Sequence, residues 1–564
     1  MNGTGVSPGI SIGTAWVVKK DIRTRTGILL QNEEDILREM EKYKRAVKTS
    51  AEELQAVILH AESSEAADIL EMQIELLNDP QMERDVFDKI TAGKKNAHDA
   101  LMEVVEILTA RFRNMSDAYL RARASDIQDS GNRILNNLGG LQKATPPSFR
   151  TNTIVVAEDL SPADTITLDI KNVIGFITRE GGKTSHAAII ARSRGIPAVV
   201  GCGEAWHGIK DGDQVLMDGE TGLVIPNPEQ EQISAYVLKR QSFMEKLNLL
   251  KKLKHAPSVT TDGWEIKLFA NIADADDLET VFDQGGEGVG LFRTELLFLG
   301  RESMPTEEEQ FAFYKNVAIK SKGKSVTVRT LDIGGDKQLS YFDIPAEQNP
   351  FLGYRAIRIC LDKKDIFVTQ LKAILRASSF GKFSIMFPMI SGIREIRQAK
   401  EILAGAKNEL REAQIPFDEN IPVGIMMEIP SAAITADLLA SEVDFFSIGT
   451  NDLCQYSLAV DRMNEKVKEL YDPYNPGVLR LIRFIIEQGH KHKIRVGMCG
   501  ELASDPLATL LLMGLGLKEF SMNAGAIPII KDIIVHHDLE KAKAIGEAVM
   551  QMEDSAKIMR YLQT

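Results

Sequence analysis

The segment EGGKTSHAAIIARSRGIPAVVG, Glu180 to Gly201, places His186 behind a glycine pair and two residues after Thr184, at the mouth of an apolar helical stretch. The first amide hydrogens of a helix lack intrahelical partners and carry partial positive charge. A phosphoryl group on a histidine there would be stabilised by those amides. Neutral imidazole is an adequate nucleophile toward phosphorus, and the Thr184 hydroxyl could hold one ring nitrogen in place. Gly181 and Gly182 would let a partner come near. A capping or packed histidine has the same local pattern, so the segment alone leaves both readings open.

A second set of reactive residue types lies in residues 258–564. Short apolar runs recur there: IKLFANI, GVGLFRTE, VTVRTLDIGG, FSIMFPMI, PVGIMMEIP, FFSIGTND, IRVGMCGE and EFSMN. Their alternation with helical segments predicts a closed (β/α)₈ barrel, whose C-terminal strand ends hold the active site. Polar residues sit at those ends: Asn271, Arg293, Arg329, Asp332, Glu428, Asn451, Asp452, Cys499 and Asn523. Arg293, Arg329 and Lys337, with Arg355 in NPFLGYRAIR and Arg462 in LAVDR, would together suit a small, strongly anionic substrate. The other reading makes some of them salt bridges. Glu428 and Asp452 end neighbouring strands and suit Mg²⁺, unless they pair with the arginines instead. Asp332 could orient a cation. Cys499, between glycines in GMCGE, is either an inert buried thiol or an acid/base group.

These residues need a frame to hold them. A chain of 564 residues exceeds what one core supports. Residues 1–20 read as glycine-broken strands that join an α/β unit over 141–228, with a helical subdomain inserted at 21–140. Residues 229–257 read as a charged, amphipathic linker helix ahead of the barrel. In the first helix Ile36, Leu37, Met40, Tyr43, Val47, Leu54 and Ile58 are expected on one face. The net charge of −13 argues against nucleic acid and leaves a basic protein as the plausible partner. Cys202, Cys360, Cys454 and Cys499 show no C-x-x-C spacing, and no apolar run is long enough to span a bilayer. A cytoplasmic protein with reduced thiols, not inserted in the membrane, is expected.

In this order GGKTSHAAIIARSRGIPAVVG, GVGLFRTE, RTLDIGGDK, NPFLGYRAIR, MFPMI, GIMMEIP, FFSIGTNDLCQY and GMCGE are a specific set. The chain resembles the enzyme I family of the bacterial sugar phosphotransferase system, the phosphoenolpyruvate–protein phosphotransferases, along its whole length. The resemblance implies that His186 accepts the phosphoryl group of phosphoenolpyruvate and that Glu428 and Asp452 bind Mg²⁺. It implies substrate contacts from Arg293, Arg329, Lys337, Asn451 and Arg462 with Arg355 close by, and protonation of the departing enolate by Cys499 to give pyruvate. It further implies a helical subdomain that docks the phosphocarrier HPr, and a homodimer formed through the barrel. Glu65, Asp68, Glu71 and Glu75 beside Ala67, Leu70, Ile74 and Leu77 would give HPr an acidic rim around apolar residues. Related dikinases and synthases carry a nucleotide-binding region for which this chain has no spare length. The nitrogen-related variant of enzyme I carries an additional N-terminal domain, whereas Met1 begins directly at the catalytic half. A non-catalytic scaffold is disfavoured by the joint presence of His186, Glu428, Asp452 and Cys499.

Overall fold

The structure is a computed structural model. It describes residues 1–18, 25–58, 73–113, 118–139, 152–160, 172–182, 185, 187–188, 191–192, 195–299, 301, 303–335, 339, 341–342, 347–464 and 466–564. The chain divides into two compact units, Met1–Glu245 and Lys246–Thr564.

The first unit holds a seven-stranded sheet in the order β1-β5-β4-β3-β2-β6-β7. Its strands are β1 (Thr4–Ser7), β2 (Ile10–Val17), β3 (Thr153–Ala157), β4 (Val173–Thr178), β5 (Ala198–Val200), β6 (Gln214–Asp218) and β7 (Leu223–Pro226). β2 lies between β3, to which it is parallel, and β6, to which it is antiparallel. The N-terminal strands therefore complete a sheet whose other members follow far along the chain. β3 reads TIVVA without polar alternation because both of its faces are covered. Val155 and Ala157 face a cluster that includes Ala187, Ala188 and Ala191, whereas Ile154 and Val156 pack with Ile177, Val199 and Met217.

Between β2 and β3 run the helices α1 (Glu33–Ile58), α2 (Pro80–Thr91), α3 (Ala97–Arg113) and α4 (Ala118–Leu138). Asp79 caps α2 by accepting from the Gln81 N–H, with Pro80 in the first turn, where its missing N–H does no harm. Tyr43, Leu54, Val86, Ile90, Leu101, Val104 and Ile134 form the core of this bundle. Leu37 departs from the expected stripe: it is 64% exposed, while Ile36, Met40 and Val47 pack against the core. Residues 36, 40, 43 and 47 follow the helical repeat, and residue 37 lies a further 100° or so around the axis. The Ile58 side chain lies outside the described residues. So do Glu65, Ala67, Asp68, Leu70 and Glu71. Leu77 is 2% exposed and Ile74 is partly buried, so both pack into the bundle rather than standing free for a partner.

Asp99 fixes the strand-to-bundle connection. Its carboxylate accepts from the Thr26 N–H at 2.8 Å, the Thr26 hydroxyl at 2.9 Å and the Gly27 N–H at 2.8 Å. Burial acts to raise its pKa, but these bonds and one to His98 outweigh it and hold the carboxyl at about 2, from an ordinary 3.8. A group depressed in the folded state stabilises above its unfolded pKa and loses that contribution as pH falls through the folded value. Asp99→Ala should therefore lower the stability of this unit by about 2–3 kcal/mol at neutral pH. The deficit should shrink between about pH 4 and pH 2, as read by calorimetry of wild type and variant.

A single helix, α5 (Gln230–Leu253), leads into the second unit. It differs from the amphipathic helix expected, because Val237, Leu238, Met244 and Leu249 are all largely exposed.

The second unit is a closed barrel. Its strands are β8 (Lys267–Ile272), β9 (Val289–Arg293), β10 (Ser325–Arg329), β11 (Lys382–Phe387), β12 (Val423–Met427), β13 (Phe445–Ile448), β14 (Arg495–Met498) and β15 (Glu519–Met522). All neighbouring pairs are parallel, and β15 returns to β8. Phe292, Phe298, Phe367 and Phe387 are buried in the barrel unit's main core, and Leu291, Met386, Met426, Phe445 and Cys499 form a separate buried cluster. This architecture is the α/β unit with inserted helices followed by a (β/α)₈ barrel. Among the described residues, no helix is long and apolar enough to cross a membrane.

Candidate active site at the barrel mouth

The C-terminal ends of the barrel strands bring most of the singled-out side chains to one place. Arg329 ends β10 beside Arg293, its neighbour on β9. The Arg329 guanidinium is 7% exposed in residue terms; one Nη bonds Glu295, and Nη1 lies 3.2 Å from Asp332 Oδ2. Asp332 also binds Arg355, whose Nη2 is 3.0 Å from Oδ1. Arg355 Nη2 then reaches Asp452 Oδ2 at 3.3 Å, and its Nη1 donates to the Tyr456 hydroxyl at 3.1 Å. Asp452 and Tyr456 are one turn apart on the helix Thr450–Leu458, which is why both meet the same guanidinium. Burial disfavours the charge on both arginines, but Glu295 and Asp332 for Arg329, and Asp332 and Asp452 for Arg355, reverse that and keep them firmly charged. The Nε atoms of Arg329 and Arg355 are buried without a partner among the described residues.

Glu428 follows β12 and is 2% exposed. Burial first, then the charges of Asp452 and Asp332, push its carboxyl up to about 8 despite Arg329 and Arg355. Its Oε1 accepts the Met389 N–H at 2.6 Å. Met389 holds φ at +59°, a conformation rare for a side-chain-bearing residue, and so turns its amide onto the carboxylate. Glu295, Asp332, Glu428 and Asp452 set against Arg329 and Arg355 leave two negative charges when all are ionised. Two hard carboxylates in that setting, one of them driven toward its neutral form by burial and by the other carboxylates, are of the kind a divalent cation takes.

Cys499 follows β14 and is 5% exposed. Burial raises its thiol pKa above the ordinary value against the pull of Ser447, Arg329 and Arg293, so the proton stays on sulfur. Its carbonyl accepts from Asn271 Nδ2 at 3.0 Å, and Asn271 Oδ1 accepts from the Ser521 hydroxyl at 2.7 Å. The strand ends of β8, β14 and β15 thus lock together around the cysteine. Cys202, Cys360 and Cys454 are buried free thiols. Asn451 is tied to the next loop: its Nδ2 donates to Glu501 Oε1 at 3.0 Å and its Oδ1 accepts the Glu501 N–H at 2.8 Å. Arg462 stands looser, 4.0 Å from Asp452, and Arg293 is exposed with no carboxylate partner among the described residues. His186, Thr184 and Lys337 lie outside the described residues.

Of the arginines, Arg329 and Arg355 are in buried ion pairs, and Arg293 and Arg462 are the freer cations. Glu295, Tyr456 and Ser521 were not singled out from sequence. Glu295 was available as the acid closing GVGLFRTE, and Tyr456 as the residue four after Asp452, but neither announces which arginine it meets.

Comparison with known proteins decides the family. Residues 248–539 match the family described as PEP-utilising enzyme, PEP-binding domain; residues 2–123 match its N-terminal family and residues 149–222 its mobile domain. A Bacillus subtilis protein named phosphoenolpyruvate-protein phosphotransferase is 44% identical over 100% of this chain and 99% of its own. The chain belongs to the phosphoenolpyruvate-protein phosphotransferase family. It is an enzyme of that class. A Staphylococcus epidermidis protein of the same name is 46% identical over 93% of this chain and 92% of its own. The solution structure of an enzyme I protein is 35% identical, with a TM-score of 0.37, and covers 43% of this chain and 99% of its own.

In this family member the cysteine loop is packed without slack. A Cβ on Gly500 would lie 1.9 Å from Thr450 Oγ1 and 2.5 Å from the Thr450 nitrogen. Gly500 has an ordinary φ of −75°, so the demand for glycine is one of space alone. Gly500→Ala must push the cysteine loop off the helix that carries Asp452. We expect a stability loss of about 1–3 kcal/mol by thermal unfolding, with turnover falling at least tenfold because the loop moves.

In the first unit, Gly181 and Gly182 lead to Ser185, whose Oγ accepts the Ala188 N–H at 3.4 Å at the head of a helical stretch containing Ala187, Ala188, Ala191 and Arg192. Gly181 holds φ at +104°, and a Cβ there would meet the Ser185 side chain at 3.0 Å. Open space surrounds the Cβ position of Gly182.

Proposed function

We propose that this enzyme transfers the phosphoryl group of phosphoenolpyruvate to a ring nitrogen of His186, releases pyruvate, and passes the group to the histidine phosphocarrier HPr, as the first step of the sugar phosphotransferase system. The observation that carries the reading is the buried chain Glu295–Arg329–Asp332–Arg355–Asp452, with Glu428 and the neutral Cys499 thiol at the same barrel mouth. Full-length similarity to relatives of that name supports it.

Phosphoenolpyruvate carries a carboxylate and a phosphate. Arg329 and Arg355 offer forks fixed in direction by their carboxylates, so the donors need no reorganisation when charge moves. Arg293, Arg462 and Lys337 supply the cations that close on the substrate's outer oxygens, and Asn451 completes the grip. Mg²⁺ held by Glu428 and Asp452 would neutralise phosphate and carboxylate oxygens, and its charge would also favour the ionised form of Glu428. Thr184 orients His186 so that one nitrogen presents its lone pair. A nitrogen–phosphorus bond forms as the bond from phosphorus to the enol oxygen breaks. The enolate's methylene carbon takes the proton from Cys499 Sγ, giving pyruvate, and the thiolate recovers a proton from solvent.

In this reading residues 1–20 and 141–228 form the phosphohistidine domain, 21–140 the HPr-docking subdomain, and 229–257 a linker about which the halves swivel. Residues 258–564 bind phosphoenolpyruvate and form a homodimer in the cytoplasm. The test is incubation with radiolabelled phosphoenolpyruvate and Mg²⁺. Label should enter the wild type and pass to added HPr, and His186→Ala should take up none. Label that enters only with ATP, or that persists in His186→Ala, would overturn the assignment.

A further inference from the structure

The end of the barrel remote from these residues carries a cavity of about 360 Å³ lined in part by His490, Lys493, Arg495, Lys518 and Glu519. Arg495 and Glu519 are the first residues of β14 and β15, so the cavity opens on the N-terminal face, while Cys499 follows the other end of β14. Nothing in the proposed reaction uses it.

Its charge is unusual for this chain. Lys493 and Lys518 are exposed and have no carboxylate partner among the described residues. Arg495 lies 3.8 Å from Glu519, beyond a charge-assisted hydrogen bond, and stacks over the Phe445 ring at 5.1 Å. Lys518 Nζ sits 4.5 Å from the centre of the Trp264 ring. Three basic residues and one acidic residue thus line a single cavity in a protein whose net charge is −13. Lys493 closes its helix end at φ +60°, as Lys94 and Lys322 do at theirs. Burial raises the carboxyl pKa of Glu519 against the pull of Arg495 and Lys267, and burial together with Lys518 lowers that of the His490 imidazole.

We propose that this cavity is a binding site for a small phosphate monoester, its dianionic phosphate held by Lys493, Arg495 and Lys518. Ammonium points and a guanidinium fork match phosphate oxygens. A half-open cavity of about 360 Å³ has room for a small metabolite.

Trp264 reports on the site through Lys518. In a full-length chain carrying Trp16→Phe and Trp206→Phe, Trp264 is the only tryptophan. Titration with glycerol 3-phosphate should give a saturable change in its emission. Lys493→Asp, which reverses the charge and tolerates the left-handed backbone, should weaken that binding at least tenfold. Arg293→Ala with Arg462→Ala, which disables the barrel mouth, should leave it unchanged. Inorganic phosphate should bind and succinate should not. The proposal is overturned by an unsaturable or absent response, by equal binding of succinate, or by a response that survives Lys493→Asp and disappears with the mouth variants.

Discussion

Cys499→Ala should slow pyruvate release by about 100- to 10,000-fold, the range a positioned proton donor contributes, while phosphoenolpyruvate still binds within a few-fold of wild type. The thiol makes no ion pair that holds substrate; it packs with Leu291, Met386, Met426 and Phe445, lies 3.8 Å from the Ile448 carbonyl, and is within reach of Ser447 and the charges of Arg329, Glu428 and Arg293. Removing it leaves the cations in place, so the loss should appear in kcat and not in substrate affinity. The pH dependence carries a sign. Burial raises the Cys499 pKa above the ordinary 9.0, so the acid form persists through neutral and mildly alkaline pH. The alkaline limb of the wild-type rate profile should therefore lie above pH 9 where it reports this thiol. Cys499→Ser preserves size but offers a far weaker acid, and should be nearly as slow as alanine. Steady-state pyruvate release and equilibrium dialysis of phosphoenolpyruvate decide the matter. Unchanged turnover in the alanine variant would remove the cysteine from the chemistry.

The barrel was legible because its signal is local. Each strand is a short apolar run, and each run ends where a polar side chain must leave the sheet. VTVRTLDIGG shows the limit of that signal. The strand stops at Arg329; the Thr330 N–H still donates to the Met386 carbonyl at 3.0 Å, and residues 331–333 then leave the ladder although Leu331 and Ile333 are buried. Asp332 bridges Arg329 and Arg355 there, a tertiary demand that no periodicity encodes. The same holds for the mouth as a whole. The sequence names the cations and the carboxylates, but pairing depends on which strand ends are neighbours and how far each loop reaches. Glu295 and Tyr456 carry no mark of their partners. Leu37 and Leu77 fail in the same way: an apolar residue announces burial or docking equally well, and only the packed bundle distinguishes the two.

Arg329→Met should be the most damaging single change in the barrel, and the damage should have two separable parts. The guanidinium sits among Glu295, Asp332 and Glu428 with almost no access to solvent. Removing one partner of a buried ion pair strands the other, and a loss of about 3–5 kcal/mol is expected from that alone. The second part is chemical. A preorganised donor aimed at developing charge contributes about 2.7–4 kcal/mol to the transition state, or roughly 100- to 1,000-fold in kcat. The two parts come apart in Arg329→Met combined with Glu295→Gln, which removes the stranded carboxylate while leaving Asp332 its bond to Arg355 at 3.0 Å. Thermal unfolding of the double variant should recover most of the stability lost in the single one, and its turnover should not recover. If both return together, Arg329 serves the fold and the substrate is gripped elsewhere. If turnover stays low in a barrel of restored stability, the paired arginine is a poised substrate contact, held in position by carboxylates that the substrate's own anionic groups partly replace.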